Sequence, residues 1–374
     1  MAVQTQLGVY EKLGVKRIIN GWGTITRVGG SLMPPEVVEA MAEAARSFVD
    51  IDELYLRAGE VVARHTGAEA GLVTTGCAAS LMLGTAAAVA GMDPAKHRRL
   101  PKTEGMKDQV IIHTSHRNGY DQSFRAAGIE FVEIGYANNT QPWELEAAIG
   151  PRTAAVAYVI APWLLGGFLP LDATCEIAHR HDVPVIVDSS AMLPPAENLT
   201  KWIGMGADLV AFSGGKGILG PQASGILAGR RELVESARLQ MSPNHAIGRT
   251  CKVGKEEVIG LVTALELYAR RDHAADMARW RRQAETIVEA VGNLPGVRAS
   301  VAEPRQSGTP SAQIELEPSW RGPSASEVVA RLKAGDPPIY LGAAGGAIRV
   351  NTHVLEPGDA ELIGSRLRAV LTAR

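Results

Sequence analysis

Cysteine is scarce in this 374-residue chain: Cys77, Cys175 and Cys251 stand far apart. Their spacing excludes a disulfide framework and a paired zinc pattern, and it suits a reducing compartment. Long apolar runs are missing as well. No uncharged apolar stretch reaches the roughly 18 residues that span a bilayer, and the Ala-rich run 81–91 falls well short. The N-terminal MAVQTQLGVYEKLGVKR has no apolar core of a signal peptide. A cytoplasmic location, with no membrane partner, is therefore expected. Charge of one sign is not in excess either, since 38 Lys and Arg face 40 Asp and Glu for a net charge of −2. A general electrostatic grip on nucleic acid needs a basic surface, so no nucleic-acid partner is expected.

What is present suits a folded α/β enzyme. Hydrophobic residues make up 46% of the chain and charged ones 21%, enough for a sizeable core and against disorder. The length suits two domains. Between about residues 53 and 229, short continuous apolar runs alternate with helix-like segments. Strands are predicted at 70–75, 109–113, 130–134, 154–160, 184–188, 209–213 and 225–228, with helices at 54–66, 77–90, 143–149 and 175–181. Continuous rather than alternating apolar runs are the pattern of strands buried on both faces, so a mostly parallel sheet of βαβ units is expected. After Pro243 the character changes. Residues 255–291 read as one long helix, followed by strands at 297–301, 311–316, 339–341 and 347–350 and helices at 326–333 and 359–371. The expected organisation is an N-terminal segment 1–31, a large domain 32–250 and a smaller C-terminal α+β domain 251–374.

The decisive stretch is DLVAFSGGKGILGPQASGILAGR, residues 208–230. An apolar strand ends in Ser213, a glycine pair turns the backbone, and Lys216 follows. Glycine allows close approach by a ligand, so Gly214, Gly215 and Gly217 are read as clearing space around a lysine that must reach a bound aldehyde. A lysine that reaches such a group serves as its nucleophile. The plain alternative is an exposed Gly-rich turn with an incidental lysine. Two nucleotide motifs are excluded. A Walker A loop would need glycine where Val210 stands and Ser or Thr at Gly217, and the Gly21-x-Gly23 pair has Thr26 in place of the third Rossmann glycine.

Asp188 closes the run PVIVDSS. A carboxylate beside the ring nitrogen of pyridoxal 5′-phosphate (PLP) keeps that nitrogen protonated, and ligands sit outside the carboxyl ends of parallel strands. Alone, such an Asp is more often a cap; one βαβ unit before a Gly-flanked lysine, it reads as a cofactor partner. The turn Thr75-Gly76-Cys77 opens a helix whose free N–H groups suit a phosphate, and it suits an ordinary strand-to-helix turn equally well. Ser213 is placed to aim its hydroxyl at the same phosphate. His116, after the strand QVIIH, is read as the ring stacked on the pyridine, and His113 as structural. No ligand set completes the His113-x-x-His116 pair, so no metal is expected. Arg349, Arg249 and Arg27 are candidates for a substrate carboxylate, which arginine grips bidentately. Thr250, beside Arg249, is a candidate phosphate contact across a subunit interface. Each of these arginines reads equally well as a surface ion-pair residue.

The run FSGGKGILGPQASGILAGR, with VDSS before it and RIINGWGTITRVGGS near the start, resembles the SelA-like family of fold-type I PLP enzymes, the selenocysteine synthase relatives. Within that family it is similar to the D-glucosaminate-6-phosphate ammonia-lyase-like members, from about Arg17 to the end. The resemblance implies the aminotransferase-like fold, a Schiff base between PLP and Lys216, Asp188 at the pyridinium and Ser213 near the phosphate. Gln222 comes with it as a site-adjacent position without a derived role. It also implies a homodimer or higher homo-oligomer.

The expected reaction is α,β-elimination on a β-hydroxy amino acid or amino-sugar acid, giving a 2-keto acid and ammonia, with Lys216 removing the Cα proton. Transamination and racemisation use the same lysine and remain open, as does selenium or sulfur transfer, which would need a mobile nucleophile. From another class, a non-catalytic binding protein built on the PLP fold is the further alternative.

Overall fold

The computed structural model describes residues 8–164, 166–304 and 308–373. Contacts divide the chain into two units, one of residues 31–271 and one combining the described residues of 1–30 and 272–374.

The larger unit is built on a seven-stranded sheet. Its strands are β1 (Ala70–Thr74), β2 (Gln109–His113), β3 (Glu130–Ile134), β4 (Thr153–Val159), β5 (Val185–Asp188), β6 (Leu209–Ser213) and β7 (Gly225–Gly229). They lie in the order β1-β7-β6-β5-β4-β2-β3. All but β7 run the same way; β7 is antiparallel to both β1 and β6. The continuous apolar runs are the cause: all seven residues of β4 and all four of β5 are buried, because helices cover both faces. The small-residue helix Cys77–Ala90 packs against the sheet at Gly84, where a Cβ would stand 3.1 Å from the Leu209 side chain. Small residues let this helix lie close to the strands, and its first residue therefore opens directly over the carboxyl ends of the sheet.

The smaller unit carries a four-stranded antiparallel sheet in the order Gly342–Ala344, Ala347–Asn351, Ser311–Leu316, Val297–Ala302. The helices His273–Val291 and Asp359–Thr372 bury Ile287, Ile314, Ile348, Val350, Ile363 and Leu367 between themselves and the sheet. Ile19–Asn20 belongs to this unit, paired in parallel with Ile339–Tyr340.

Two expectations differ from this architecture. The single helix over 255–291 is two helices, Lys255–Arg270 and His273–Val291. The break is a capping signal: the Asp272 side chain accepts the Ala275 N–H at 2.9 Å and starts the second helix. Because Lys255–Arg270 packs with the larger unit, the division by contacts falls after residue 271, not after 250. The helix Arg231–Gln240, unmarked in the sequence reading, buries Leu233, Val234 and Ala237. Among the described residues, no helix is long and apolar enough to cross a membrane.

Candidate active site

The carboxyl ends of β1, β5 and β6 bring the principal residues together. Asp188 is the last residue of β5. Its backbone is clamped on both sides, accepting the Ile160 N–H at 2.9 Å, while the next residue, Ser189, donates to Ala211 at 3.0 Å. The side chain is 6% exposed. Its Oδ1 accepts the Ser190 N–H at 3.0 Å and faces Cys77 Sγ at 3.7 Å. Burial raises the Asp188 pKa; the Ser190 hydrogen bonds and the Lys216 charge pull against that rise. Among the described residues no arginine, lysine or histidine forms an ion pair with it. A buried carboxylate held in this way calls for a cationic partner.

Lys216 stands three residues beyond β6, half-buried, in a loop closed by Gly214 N–H to Ser224 O and Gly220 N–H to Gly214 O, both 2.9 Å. Its charge lowers the pKa of Asp188 and of Cys77, which places the three groups in one electrostatic neighbourhood. Burial, followed by the Asp188 charge, raises the Cys77 pKa well above its ordinary value. Cys77 is thus a neutral thiol.

The glycines around Lys216 have a different cause from the one read in the sequence. A Cβ on Gly214 would collide with Ser224, one on Gly215 would stand 2.5 Å from the Gln222 Cα, and one on Gly217 would strike the Leu193 carbonyl. Gly214 clears room for the Ser224 side chain and Gly215 and Gly217 for backbone, and together they fix the loop that carries the lysine.

Gly76 caps the helix Cys77–Ala90 with φ at +134°, a conformation that favours glycine. The helical ladder starts with Ser80 N–H to Gly76 O at 3.0 Å, so the amides of Cys77, Ala78 and Ala79 precede it and are open to an anion. Thr74 and Ser80 secure this turn: their hydroxyls lie 2.7 Å apart and Ser80 also reaches Ile226 O at 3.1 Å. Ser213, half-buried, ends β6 opposite Gly225.

His116 corrects the sequence reading. Its ring is fully buried, with centroids 4.5 Å from Phe168 and 4.7 Å from both Tyr158 and His113. Its Nδ1 accepts the Val159 N–H at 3.2 Å. It therefore presents no open face for stacking on a cofactor. Burial, with the neighbouring His113, pushes its pKa down to about 2, and burial alone takes His113 to about 4.

The remaining candidates are exposed. Gln222, Arg249 and Thr250 lie on the larger unit, Arg249 with Nη1 3.4 Å from Ser242 Oγ. Arg349 and Arg27 lie on the smaller unit, Arg349 between buried Ile348 and Val350 on the open face of its strand. Ser190 was not singled out from the sequence. The signal was there, since an Asp followed two residues later by an available N–H is an Asx turn. Among the described residues no group of three His, Cys, Asp or Glu side chains is gathered to hold a metal ion.

The residues present fit PLP. A lysine, an unpaired buried carboxylate and an open helix N-terminus answer its aldehyde, ring nitrogen and phosphate. Comparison with known proteins agrees. The chain is 32% identical over 97% of both chains to D-glucosaminate-6-phosphate ammonia lyase of Salmonella typhimurium. It is also 32% identical to a 5′-C-glycyluridine monooxygenase-decarboxylase of a Streptomyces species, over 97% of this chain and 92% of the other. A solved structure of a D-glucosaminate-6-phosphate ammonia-lyase superposes with TM-score 0.87 at 32% identity, covering 98% of this chain and 99% of that one. A structure of SPT with PLP, at 15% identity and TM-score 0.60, covers 94% of this chain and 87% of its own; it shares the fold alone. Residues 18–282 match the family described as SelA, L-seryl-tRNA selenium transferase. This chain belongs to the SelA family and is a PLP-dependent enzyme of the aminotransferase-like, fold-type I class.

Proposed function

We propose that this enzyme is an ammonia-lyase acting by α,β-elimination on a β-hydroxy amino acid or amino-sugar acid. The observation that carries the reading is the unpaired buried Asp188 beside Lys216. It is joined to likeness over nearly the whole chain to a protein named an ammonia lyase. PLP, when bound, supplies an aldehyde that takes up amines and a ring that draws in the electron pair left at Cα.

With PLP bound, Lys216 Nζ would hold its aldehyde and would be the base placed to take the substrate's Cα proton. Asp188 holds the ring nitrogen protonated. The amides of Cys77, Ala78 and Ala79 and the Ser213 hydroxyl hold the phosphate. The exposed Arg349, Arg249, Arg27 and Gln222 are proposed substrate contacts, and Thr250 a phosphate contact. The atoms balance: loss of the Cα proton and β-hydroxyl releases water, and hydrolysis of the resulting enamine returns it. The net products are a 2-keto acid and ammonia. The assembly proposed is a homodimer or larger homo-oligomer, and the location the cytoplasm.

A second reading, oxygen-dependent decarboxylation, is favoured by the equal identity to the protein named a monooxygenase-decarboxylase. The test separates the two. The holoenzyme is supplied with D- and L-β-hydroxy amino acids and amino-sugar acids, D-glucosaminate 6-phosphate among them, without a keto-acid acceptor. Ammonia and 2-keto acid formed in equal amounts, with or without oxygen, is the expected result. Product that needs oxygen and appears with carbon dioxide overturns the elimination reading, and product that needs an added keto acid replaces it with transamination.

A further inference from the structure

Cys77 opens a helix whose backbone suits an anion, yet its side chain is turned to a different task. Sγ lies 3.7 Å from Asp188 Oδ1, the oxygen that also accepts the Ser190 N–H at 3.0 Å. Both partners are nearly closed to solvent, the cysteine 8% exposed and the aspartate 6%. Asp188 comes from the end of β5 and Cys77 from the turn after β1, strands separated in the sheet by β6 and β7. The contact therefore ties two distant elements at one carboxylate oxygen. A neutral thiol has one proton to give, and an ionised carboxylate can only accept. With the carboxylate ionised, as a partner of the pyridinium would be, the thiol is the donor of this bond.

We infer that Cys77 is a positioning residue: its S–H, with the Ser190 N–H, fixes the Asp188 carboxylate and so sets how firmly the protein holds the protonated ring nitrogen of PLP. This rests on the assignment of Asp188 to that nitrogen. A carboxylate held at one oxygen loses less freedom when the other binds a cation, and such preorganisation is read out as affinity. A space-filling cysteine would have no such effect on a titratable neighbour.

The test uses the cofactor-free full chain, titrated with PLP and followed by absorbance, in the parent, C77S, C77A and C77V, each also in a D188A background. Thermal unfolding of each cofactor-free variant identifies any that fails to fold, and the remaining pair still decides. A thiol is a weak donor, so C77A and C77V are expected to weaken PLP binding by about three- to tenfold. C77S restores a donor and is expected within about twofold of the parent. In the D188A background the Cys77 substitutions are expected to have no further effect. The inference is overturned if C77A or C77V binds as tightly as the parent, if C77S is as weak as C77A, or if the loss persists without Asp188. Failure of the underlying reading looks different: the parent itself would bind no PLP, or borohydride would fix the label elsewhere than Lys216.

Discussion

Gly217 sits directly against the carbonyl of Leu193, so close that any Cβ at 217 would overlap it. Leu193 belongs to the segment that follows Asp188 at the end of β5, and Gly217 is the neighbour of Lys216. The aspartate and the lysine are thus held by two loops in backbone contact. The spacing of the two functional groups is a property of the main chain, where side-chain changes elsewhere have little purchase.

Gly217→Ala is therefore expected to harm the site beyond its small change in volume. Overpacking costs about 1–3 kcal/mol, and the loop carrying Lys216 must shift to relieve it. A fall in melting temperature by several degrees, together with weaker PLP uptake at a fixed cofactor concentration, is the expected pair of results. A variant that melts lower but binds PLP as well as the parent would separate the loop's packing from the lysine's placement.

Lys216→Ala removes both the covalent anchor and the base. Turnover is expected to fall by at least about 10²–10⁴-fold, the scale of a lost acid–base catalyst. Borohydride treatment followed by peptide mapping should label the 212–230 region of the parent at Lys216 and leave the variant unlabelled. Label retained in the variant would assign the anchor to another lysine.

Much of this was legible in the sequence, for identifiable reasons. The strands Gln109–His113, Glu130–Ile134, Leu209–Ser213 and Ser311–Leu316 stand where the apolar runs place them, because strands buried on both faces have sharp composition edges. The grouping of Asp188 and Lys216 was also readable from strand-end positions. Side-chain direction was not. Nothing in QVIIHTSH says that His116 turns inward to accept the Val159 N–H, since that bond depends on where β4 lies. Likewise the Cys77 thiol meets Asp188 across 111 positions of chain. The long-helix reading failed for a local reason: continuous periodicity from Lys255 to Val291 outweighed the single capping residue Asp272.

Asp188→Asn is expected to act in opposite directions on the free and loaded protein. Burial raises the carboxyl pKa above its ordinary 3.8. Between the unfolded and the raised folded value the native state binds more protons than the unfolded one, so this group's contribution to stability falls as pH rises, and the penalty is complete above the folded value. The asparagine carries no charge to bury. At neutral pH the cofactor-free variant should melt higher than the parent, by about 2–4 °C for a relief of roughly 1–2 kcal/mol. PLP should bind about tenfold or more weakly, because the pyridinium loses its counter-charge. A variant that melts lower and binds PLP normally would remove Asp188 from the cofactor's ring nitrogen.

The buried histidines give the protein an acid limit that one substitution should soften. His116 and His113, with pKa values pushed to about 2 and about 4, stay neutral when folded, whereas in the unfolded chain they titrate near 6.5. Below pH 6.5 the unfolded state takes up protons that the folded state refuses. Stability is therefore lost as pH falls, by about 1.4 kcal/mol per pH unit for each such group until its folded pKa is reached. His116→Asn places an amide oxygen near the position of Nδ1, so it retains an acceptor for the Val159 N–H while removing one titration. The variant should start less stable at pH 7, because the smaller side chain leaves space beside Phe168 and Tyr158. Its stability should then fall less steeply between pH 6.5 and 4.5, by about 1.4 kcal/mol per pH unit. Denaturant unfolding of the cofactor-free protein across that range measures both slopes. Parallel lines would mean that His116 takes up a proton in the native state as readily as in the unfolded chain, and would overturn the prediction.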